Sequence, residues 1–192
     1  MRAEGCMTLY HGSPHSGIGT LQPSLSQHGK AYVYFSTDPV IAAMYVFNPL
    51  PRPHAFFPYG FDREGKLIYE EYYKGQFEEL YGGREGFLYE CDGVPGVFNP
   101  TKIPHVLVSE APVPVNRCTR IPDAAEYFRA RAEEGKLRIF FYDEMRALGR
   151  LPRVAHMIRE DIAENGLLEH PEHPLAVFYR AHFPELFEET EQ

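Results

Sequence analysis

Two tyrosines, a histidine and a glycine in the first third of the chain have the chemistry to hold a flat, positively charged ring. His11 is followed directly by Gly12, and ten residues separate Tyr34 from Tyr45. Aromatic faces on both sides of a planar cation hold it by stacking and by cation–π attraction. A glycine after the histidine lets the backbone approach a ligand closely. The four residues therefore predict a slot for a planar cation, with an imidazole and open backbone beside it.

These residues need regular elements to position them. Residues 7–11 and 31–36 are predicted strands, because apolar, β-branched and aromatic residues are bounded there by turn residues. Asp38 and Pro39 form a helix start, with a capping carboxylate and a proline at the first helical position. The predicted helix runs over residues 40–47. A tyrosine on the strand and another on the helix then converge from opposite walls of one slot.

The remaining pattern puts strands before helices. Residues 49–61 contain four prolines and are predicted to be irregular. The aromatic side chains of this stretch are candidates for a lid or a substrate-facing wall: Phe56, Phe57, Tyr59 and Phe61. Further strands are predicted at 66–69, 86–91, 105–109 and 112–116. Helices are predicted through Phe77, Leu80 and Tyr81, and at 122–134, 137–148, 152–165 and 173–187. This order predicts an α+β fold, with a core over residues 1–120 and a helical C-terminal extension, 121–192, packed on it.

Composition narrows the classes of protein. The chain has 192 residues, of which 44% are hydrophobic, and its 19 basic and 27 acidic side chains give a net charge of −8. These values are typical of a folded protein and argue against strong binding to nucleic acids or anionic membranes. No apolar run is long enough to span a bilayer. The three cysteines form no C-x-x-C pair and residues 1–13 resemble no signal peptide, so a cytoplasmic location is expected.

Several familiar chemistries have no motif here. The sequence contains no G-x-G-x-x-G after a strand, no phosphate-binding Walker loop, no H-E-x-x-H and no G-x-S-x-G. His170 and His173 lie near each other, but among prolines in a predicted loop, which favours a solvated pair over a metal site. We therefore expect no metal.

The pattern around the first four residues resembles the NAD-binding half of the ADP-ribosyltransferase fold, in its diphtheria-toxin and poly-ADP-ribose-polymerase branch. The likeness lies in the segments LYHGS (9–13), GKAYVYF (29–35) and AAMY (42–45), and it covers about residues 7–117. It implies a split β-sheet core that binds NAD as substrate. It also implies cleavage of the nicotinamide–ribose bond and transfer of ADP-ribose to an acceptor that the sequence does not name.

Carried over residue by residue, the resemblance implies a division of roles. His11 would bond the adenine-side ribose, and the Gly12 backbone would hold the nicotinamide carboxamide. Tyr34 and Tyr45 would face each other across the nicotinamide ring. Two serines complete the predicted cofactor-binding set, Ser13 and Ser36. Lys30 and Arg52 are candidates for neutralising the pyrophosphate.

The reaction also needs an acid. Loss of nicotinamide builds positive charge on the ribose, as in glycoside cleavage, and a carboxylate facing that charge stabilises it. In the family this acid stands at the start of a late strand. Glu110, followed by an alternating apolar run, is the predicted acid, and Glu90 is the alternative. With His11 and Tyr45, Glu110 forms the predicted catalytic set.

Two other functions remain open. The same segments, with 88–113, are similar to the RNA 2′-phosphotransferase branch of the fold, although that branch relies on several arginines and the interval 10–45 contains none. A non-catalytic nucleotide-binding module is the other possibility. Each residue also has an ordinary structural explanation. His11 could be a turn histidine, Tyr34 and Tyr45 half-buried packing residues, and Glu110 a surface glutamate.

Overall fold

The computed structural model describes residues 7–25, 30–47 and 59–188, which form helices and antiparallel sheets. The predicted α+β class is confirmed. The strands are β1 Thr8–Ser13, β2 Thr20–Leu21, β3 Ser24–Leu25, β4 Ala31–Ser36, β5 Tyr59–Phe61, β6 Leu67–Glu70, β7 Gly86–Asp92, β8 Val106–Ser109, β9 Val113–Pro114, β10 Arg117–Ile121 and β11 Arg138–Phe140. The helices are α1 Pro39–Ala43, α2 Gln76–Tyr81, α3 Ala124–Glu133, α4 Tyr142–Ala147, α5 Leu151–Glu164, α6 Pro174–His182 and α7 Glu185–Glu188.

The chain divides into two compact units. The first comprises residues 1–48 and 81–134, and the second comprises 49–80 and 135–192. This division differs from the predicted one at residue 120, because 49–80 group with the C-terminal part and 121–134 group with the first unit. The predicted packing of a helical extension on the core stays a prediction.

The main sheet of the first unit has six strands. Its strand order is β10-β7-β1-β4-β3, and β8 also pairs with β4. β1 pairs with β7 along its whole length, from Thr8–Asp92 to Ser13–Phe87. Among the described residues, β1 pairs with β4 only at Tyr10–Ser36. Beyond that pair, no register pair joins residues 11–13 of β1 to residues 33–35 of β4, and this stretch is called the seam below.

One face of this sheet is an apolar core. Leu9, Val33, Phe35 and Cys91 are buried together there. Successive residues of a strand point to opposite faces, so these side chains share a face while their neighbours point the other way. The neighbours of these residues therefore form the second face, and α1 packs on that face at Gly12.

Helix α1 begins as predicted and ends early. The Asp38 carboxylate accepts a hydrogen bond from the Val40 N–H at 2.7 Å, and Pro39 is the first helical residue. The prediction that the helix reaches residue 47 is wrong. After Ala43 the chain tightens into turns, with the Tyr45 N–H bonded to the Ala42 carbonyl at 3.1 Å.

Two glycines explain this path. A Cβ built on Gly12 would lie 2.0 Å from the Ala42 carbonyl oxygen, and one built on Gly86 would lie 2.2 Å from the Val46 Cβ. Both distances are far shorter than any van der Waals contact. Residues 42–46 therefore cross β1 and β7 in close contact, and the crossing requires glycine at both points.

Other local predictions were confirmed or corrected. The strand predicted at 31–36 was correct, and the helix predicted at 122–134 was correct in outline, since α3 begins at Ala124 with Asp123 as its N-cap. β1 extends to Ser13, so His11 and Gly12 lie inside the strand instead of at its end. Residues 59–61 form β5, although this stretch was predicted to be irregular, and β10 was not predicted. Phe56, Phe57 and Arg52 lie outside the described residues.

The second unit has its own sheet and core. β6 pairs parallel with β11 and antiparallel with β5. The helix predicted at 137–148 is correct only for its second half, because the stretch divides into strand β11 and helix α4. The buried Glu71 carboxylate joins this unit by accepting hydrogen bonds from the Phe77 and Tyr142 N–H groups, both at 2.8 Å. No helix in the described ranges is long and apolar enough to cross a membrane.

Candidate functional site

A side chain of β1 bonds to β4 across the seam. The His11 Nδ1 lies 2.8 Å from the Tyr34 carbonyl oxygen. A carbonyl only accepts hydrogen bonds, so Nδ1 carries the proton and donates it. The imidazole thereby satisfies a strand carbonyl in place of a backbone partner on β1.

The alternation of an antiparallel ladder decides which way the Gly12 backbone points. Successive residues direct their N–H and C=O groups to opposite neighbouring strands. Tyr34 faces β1, because its carbonyl accepts from His11, and so Ser36, two residues later, faces β1 as well. Tyr10 is therefore the hydrogen-bonded partner of Ser36, and Gly12, two residues after Tyr10, faces β4.

The pairing of β7 leads independently to the same direction for the Gly12 backbone groups. The Glu90 carbonyl accepts a hydrogen bond from the Asn116 N–H at 2.9 Å, so Glu90 faces β10. Its neighbour Tyr89 then faces β1, where it pairs with His11. His11 faces β7, and Gly12 faces the opposite way. The pairings of β4 and of β7 therefore agree that the Gly12 N–H and C=O groups are directed into the seam, beyond the last register pair of β1 with β4.

The protonation of His11 follows from its surroundings. Burial lowers the pKa of His11 below its ordinary value near 6.5, and the hydrogen bond to the Tyr34 carbonyl opposes this in part. The ring is therefore neutral at neutral pH. Because Nδ1 holds the single proton, Nε2 carries a lone pair and acts as a hydrogen-bond acceptor.

The predicted residues divide between the two faces of the sheet. The His11 ring lies on the apolar face, 6.4 Å from the Phe35 ring in an edge-to-face contact. Tyr34 points to the other face, where its ring lies 6.0 Å from that of Tyr32. Gly12 shares that second face with Tyr34. The seam thus has an imidazole on one side and a phenol on the other.

Tyr45 lies in the turn that follows α1, next to Gly12. A Cβ on Gly12 would be 3.3 Å from the Tyr45 carbonyl carbon, and Tyr45 is 39% exposed. The Tyr45 backbone therefore lies on the same face of the sheet as the Tyr34 side chain. The predicted ring-to-ring arrangement across a ligand stays a prediction.

Both predicted serines have local hydrogen bonds. The Ser13 Oγ accepts from the His15 N–H at 3.1 Å, and the Ser36 Oγ accepts from the Asp38 N–H at 3.0 Å. Both residues are buried. They shape the turns after β1 and β4, and their role toward a ligand remains a prediction.

Glu110 does not begin a strand of the main sheet. It directly follows β8, in a bend before the two-residue β9. Its carboxylate lies 3.7 Å from the Lys30 ammonium, and its side chain is 59% exposed. Since Ser109 pairs with Val33, the next residue, Glu110, lies level with Tyr32 of β4. Tyr32 is two residues before Tyr34 on the same strand.

Glu90 is the more enclosed of the two acids. It lies on β7 directly across from Tyr10, so it shares the face of Gly12. Its side chain is 22% exposed, and its carboxylate lies 3.7 Å from the Arg117 guanidinium. The two carboxylates therefore stand on opposite sides of the seam, one on β7 and the other beyond β8.

Gly86 is the site-forming residue that the sequence reasoning missed. It lets Val46 pack directly on β7, and so fixes the turn that carries Tyr45. A signal was present, because glycine inside a strand often marks a close backbone approach. Gly12, which was singled out for a ligand contact, has this packing role as well.

The arrangement offers hydrogen bonding and stacking. It combines a backbone N–H and C=O directed toward β4, a neutral imidazole acceptor on one face of the sheet, Tyr34 on the other face, Tyr45 in the turn beside Gly12, and flanking carboxylates. No cluster of three metal-ligating side chains occurs within the described part of the chain. No family model matches this chain, and no curated protein or solved structure matches it.

Proposed function

We propose that the first unit binds NAD at the seam and belongs to the ADP-ribosyltransferase-like group that its sequence resembles. The feature that carries this proposal is the Gly12 backbone, because the alternation of β1 directs the N–H and C=O groups of this buried residue toward β4, where no register pair engages them. A residue that presents both groups to one side can pair with a carboxamide, which offers one donor and one acceptor in the same spacing. The nicotinamide of NAD carries such a carboxamide.

The other residues fit the rest of the ligand. The pyridinium ring is a planar cation, for which Tyr34 and Tyr45 supply aromatic faces. The His11 Nε2, being an acceptor, suits a ribose hydroxyl. The single register pair between β1 and β4 is compatible with the split core that the resemblance implies.

The proposed reaction is transfer of ADP-ribose. Nicotinamide leaves with the electron pair of its bond to the ribose, and the ribose carbon becomes positively charged. A nucleophile of the acceptor then bonds to that carbon and loses its proton. A carboxylate, Glu110 or Glu90, would stabilise the charge.

Binding of NAD is tested by isothermal titration calorimetry. Tyr45→Ala is expected to weaken binding about tenfold, the effect of losing one cation–π contact. Phe141→Ala is the matched control, because Phe141 is 43% exposed, lies in the second unit and belongs to no predicted site. It should leave the affinity unchanged. No heat of binding with about 1 mM NAD, or equal losses in both variants, would reject the proposal.

A non-catalytic NAD-binding module is the second candidate, and the state of Glu110 favours it. The carboxylate is exposed and paired with Lys30, whereas a stabilising acid is most effective where water is excluded. A nicotinamide-release assay distinguishes the two. Turnover that is lost in Glu110→Gln or in Glu90→Gln identifies the acid, and binding without turnover supports the module. Release of phosphate from a 2′-phosphorylated oligonucleotide would favour the phosphotransferase alternative instead.

A further inference from the structure

The second unit contains a cleft of about 400 Å³, formed by residues after β6, by α4, α5 and the end of α6. This volume falls within the range of small-molecule sites. All its lining residues belong to the second unit. The cleft is therefore separate from the seam, and an inference about it does not rest on the proposed function.

Aromatic rings form much of the cleft wall. The lining includes Tyr72, Tyr73, Tyr142, His182 and Phe183. The Tyr73 and His182 rings are nearly stacked, with centroids 4.0 Å apart and planes inclined by 31°. Flat rings of a ligand pack well against such walls, either offset or edge-on.

The rest of the lining limits the charge of a ligand. Leu151, Val154 and Ala155 give an apolar surface along α5. The ammonium of Lys74 lies 3.6 Å from the Asp143 carboxylate, so its charge is already compensated. Glu185 is the acidic lining residue. Among the described lining residues, no formal positive charge is left uncompensated. A strongly anionic ligand would therefore find no cation here to pair with.

One polar group is available for orientation. The Tyr142 phenol has no hydrogen-bond partner among the described residues, whereas the Tyr73 phenol donates to the Glu79 carboxylate at 2.9 Å. Burial, with a smaller effect of the Glu70 charge, raises the pKa of Tyr72, so the Tyr72 phenol, which also lines the cleft, is uncharged at neutral pH. We propose that this cleft binds a small, uncharged, planar aromatic compound that carries one hydrogen-bonding group.

Indole and phenol are suitable probes, with cyclohexanol as a non-aromatic probe of similar size. Chemical-shift titration of the full chain, labelled with nitrogen-15, is expected to show indole and phenol binding at millimolar concentration, with cyclohexanol about tenfold weaker. The shifted amides should belong to α4, α5 and α6. Equal binding of cyclohexanol, shifts elsewhere, or no shifts at about 10 mM probe would overturn the proposal.

Variants locate the binding. Ala155→Phe fills the cleft and is expected to weaken indole binding at least about tenfold, while Ala163→Phe, an exposed position on the same helix, should leave it unchanged. If Ala155→Phe fails to fold, Tyr142→Phe takes its place. That variant should weaken phenol binding and leave toluene binding unaffected, and equal affinities of wild type and variant for phenol would contradict the proposal.

Discussion

Replacing Gly12 by alanine places a methyl group where the structure leaves no room. The new Cβ would lie 2.0 Å from the Ala42 carbonyl oxygen and 3.0 Å from the Ala42 carbonyl carbon. Both are backbone atoms, so no side-chain rotation relieves the overlap. Either β1 or the turn after α1 must move, and β1 is fixed by six pairs with β7.

The expected cost follows from these contacts. Overpacking of a tight interior costs roughly 1–3 kcal/mol, and we place Gly12→Ala at the upper end, about 3 kcal/mol, because the obstacle is backbone. For a chain of this size, 1 kcal/mol lowers the melting temperature by about 2–4 °C. The variant should therefore melt roughly 6–12 °C below the wild type.

Gly19→Ala is the matched control, since a Cβ there meets no atom within 4 Å. Its free energy of unfolding should change by no more than about 0.5 kcal/mol. Thermal unfolding followed by circular dichroism measures both variants. If Gly12→Ala melts with the wild type, the turn at 42–46 moves aside freely and the argument that glycine is required at the crossing is refuted.

Four other predictions follow from single residues. His11→Phe leaves the Tyr34 carbonyl without its donor and should cost about 1–3 kcal/mol in urea unfolding. Burial lowers the His11 pKa, so the unfolded state binds the proton first as the pH falls. The free energy of unfolding of the wild type should therefore fall below about pH 6.5 and level off below the folded pKa. A parallel pH profile in His11→Phe would refute this. Glu71→Ala leaves two N–H groups unpaired and should lower the free energy of unfolding by about 2–4 kcal/mol. Glu169→Ala, at an exposed position, is the control and should lower it almost not at all. Equal losses in the two variants would contradict the bridging role of Glu71. Burial, with a smaller effect of the Asp92 charge, raises the pKa of the Cys91 thiol to about 11. Iodoacetamide in native buffer should therefore label the exposed Cys118 and spare Cys91, which peptide mass mapping would show. Labelling of native Cys91 would be the contrary result.

The sequence predicted best those elements whose signals are local. β4 was predicted with its observed bounds, because β-branched and aromatic residues end at the Asp38–Pro39 helix start. The end of α1 was not predictable in this way. Its residues are compatible with a longer helix, and the turn that replaces it depends on Gly86, a residue forty positions later in the chain.

Non-local packing also explains the other differences. β10, at the edge of the sheet, has four exposed residues before the buried Ile121, so it lacks the alternation that marks a strand. Glu110 was placed at a strand start because an alternating run follows it, yet only Val113 and Pro114 of that run pair, with β2. The division of the chain into two units likewise depends on contacts between distant segments, which no local pattern records.

The seam has a consequence for amide protons. Tyr10 and Gly12 direct their N–H groups to the same side of β1, but only Tyr10 belongs to a rung shared with β4. Exchange with solvent deuterium should therefore be slower at Tyr10 than at Gly12, although Gly12 is buried. A molecule entering there would meet backbone groups that take no part in a rung between β1 and β4, and its arrival would not have to break such a rung.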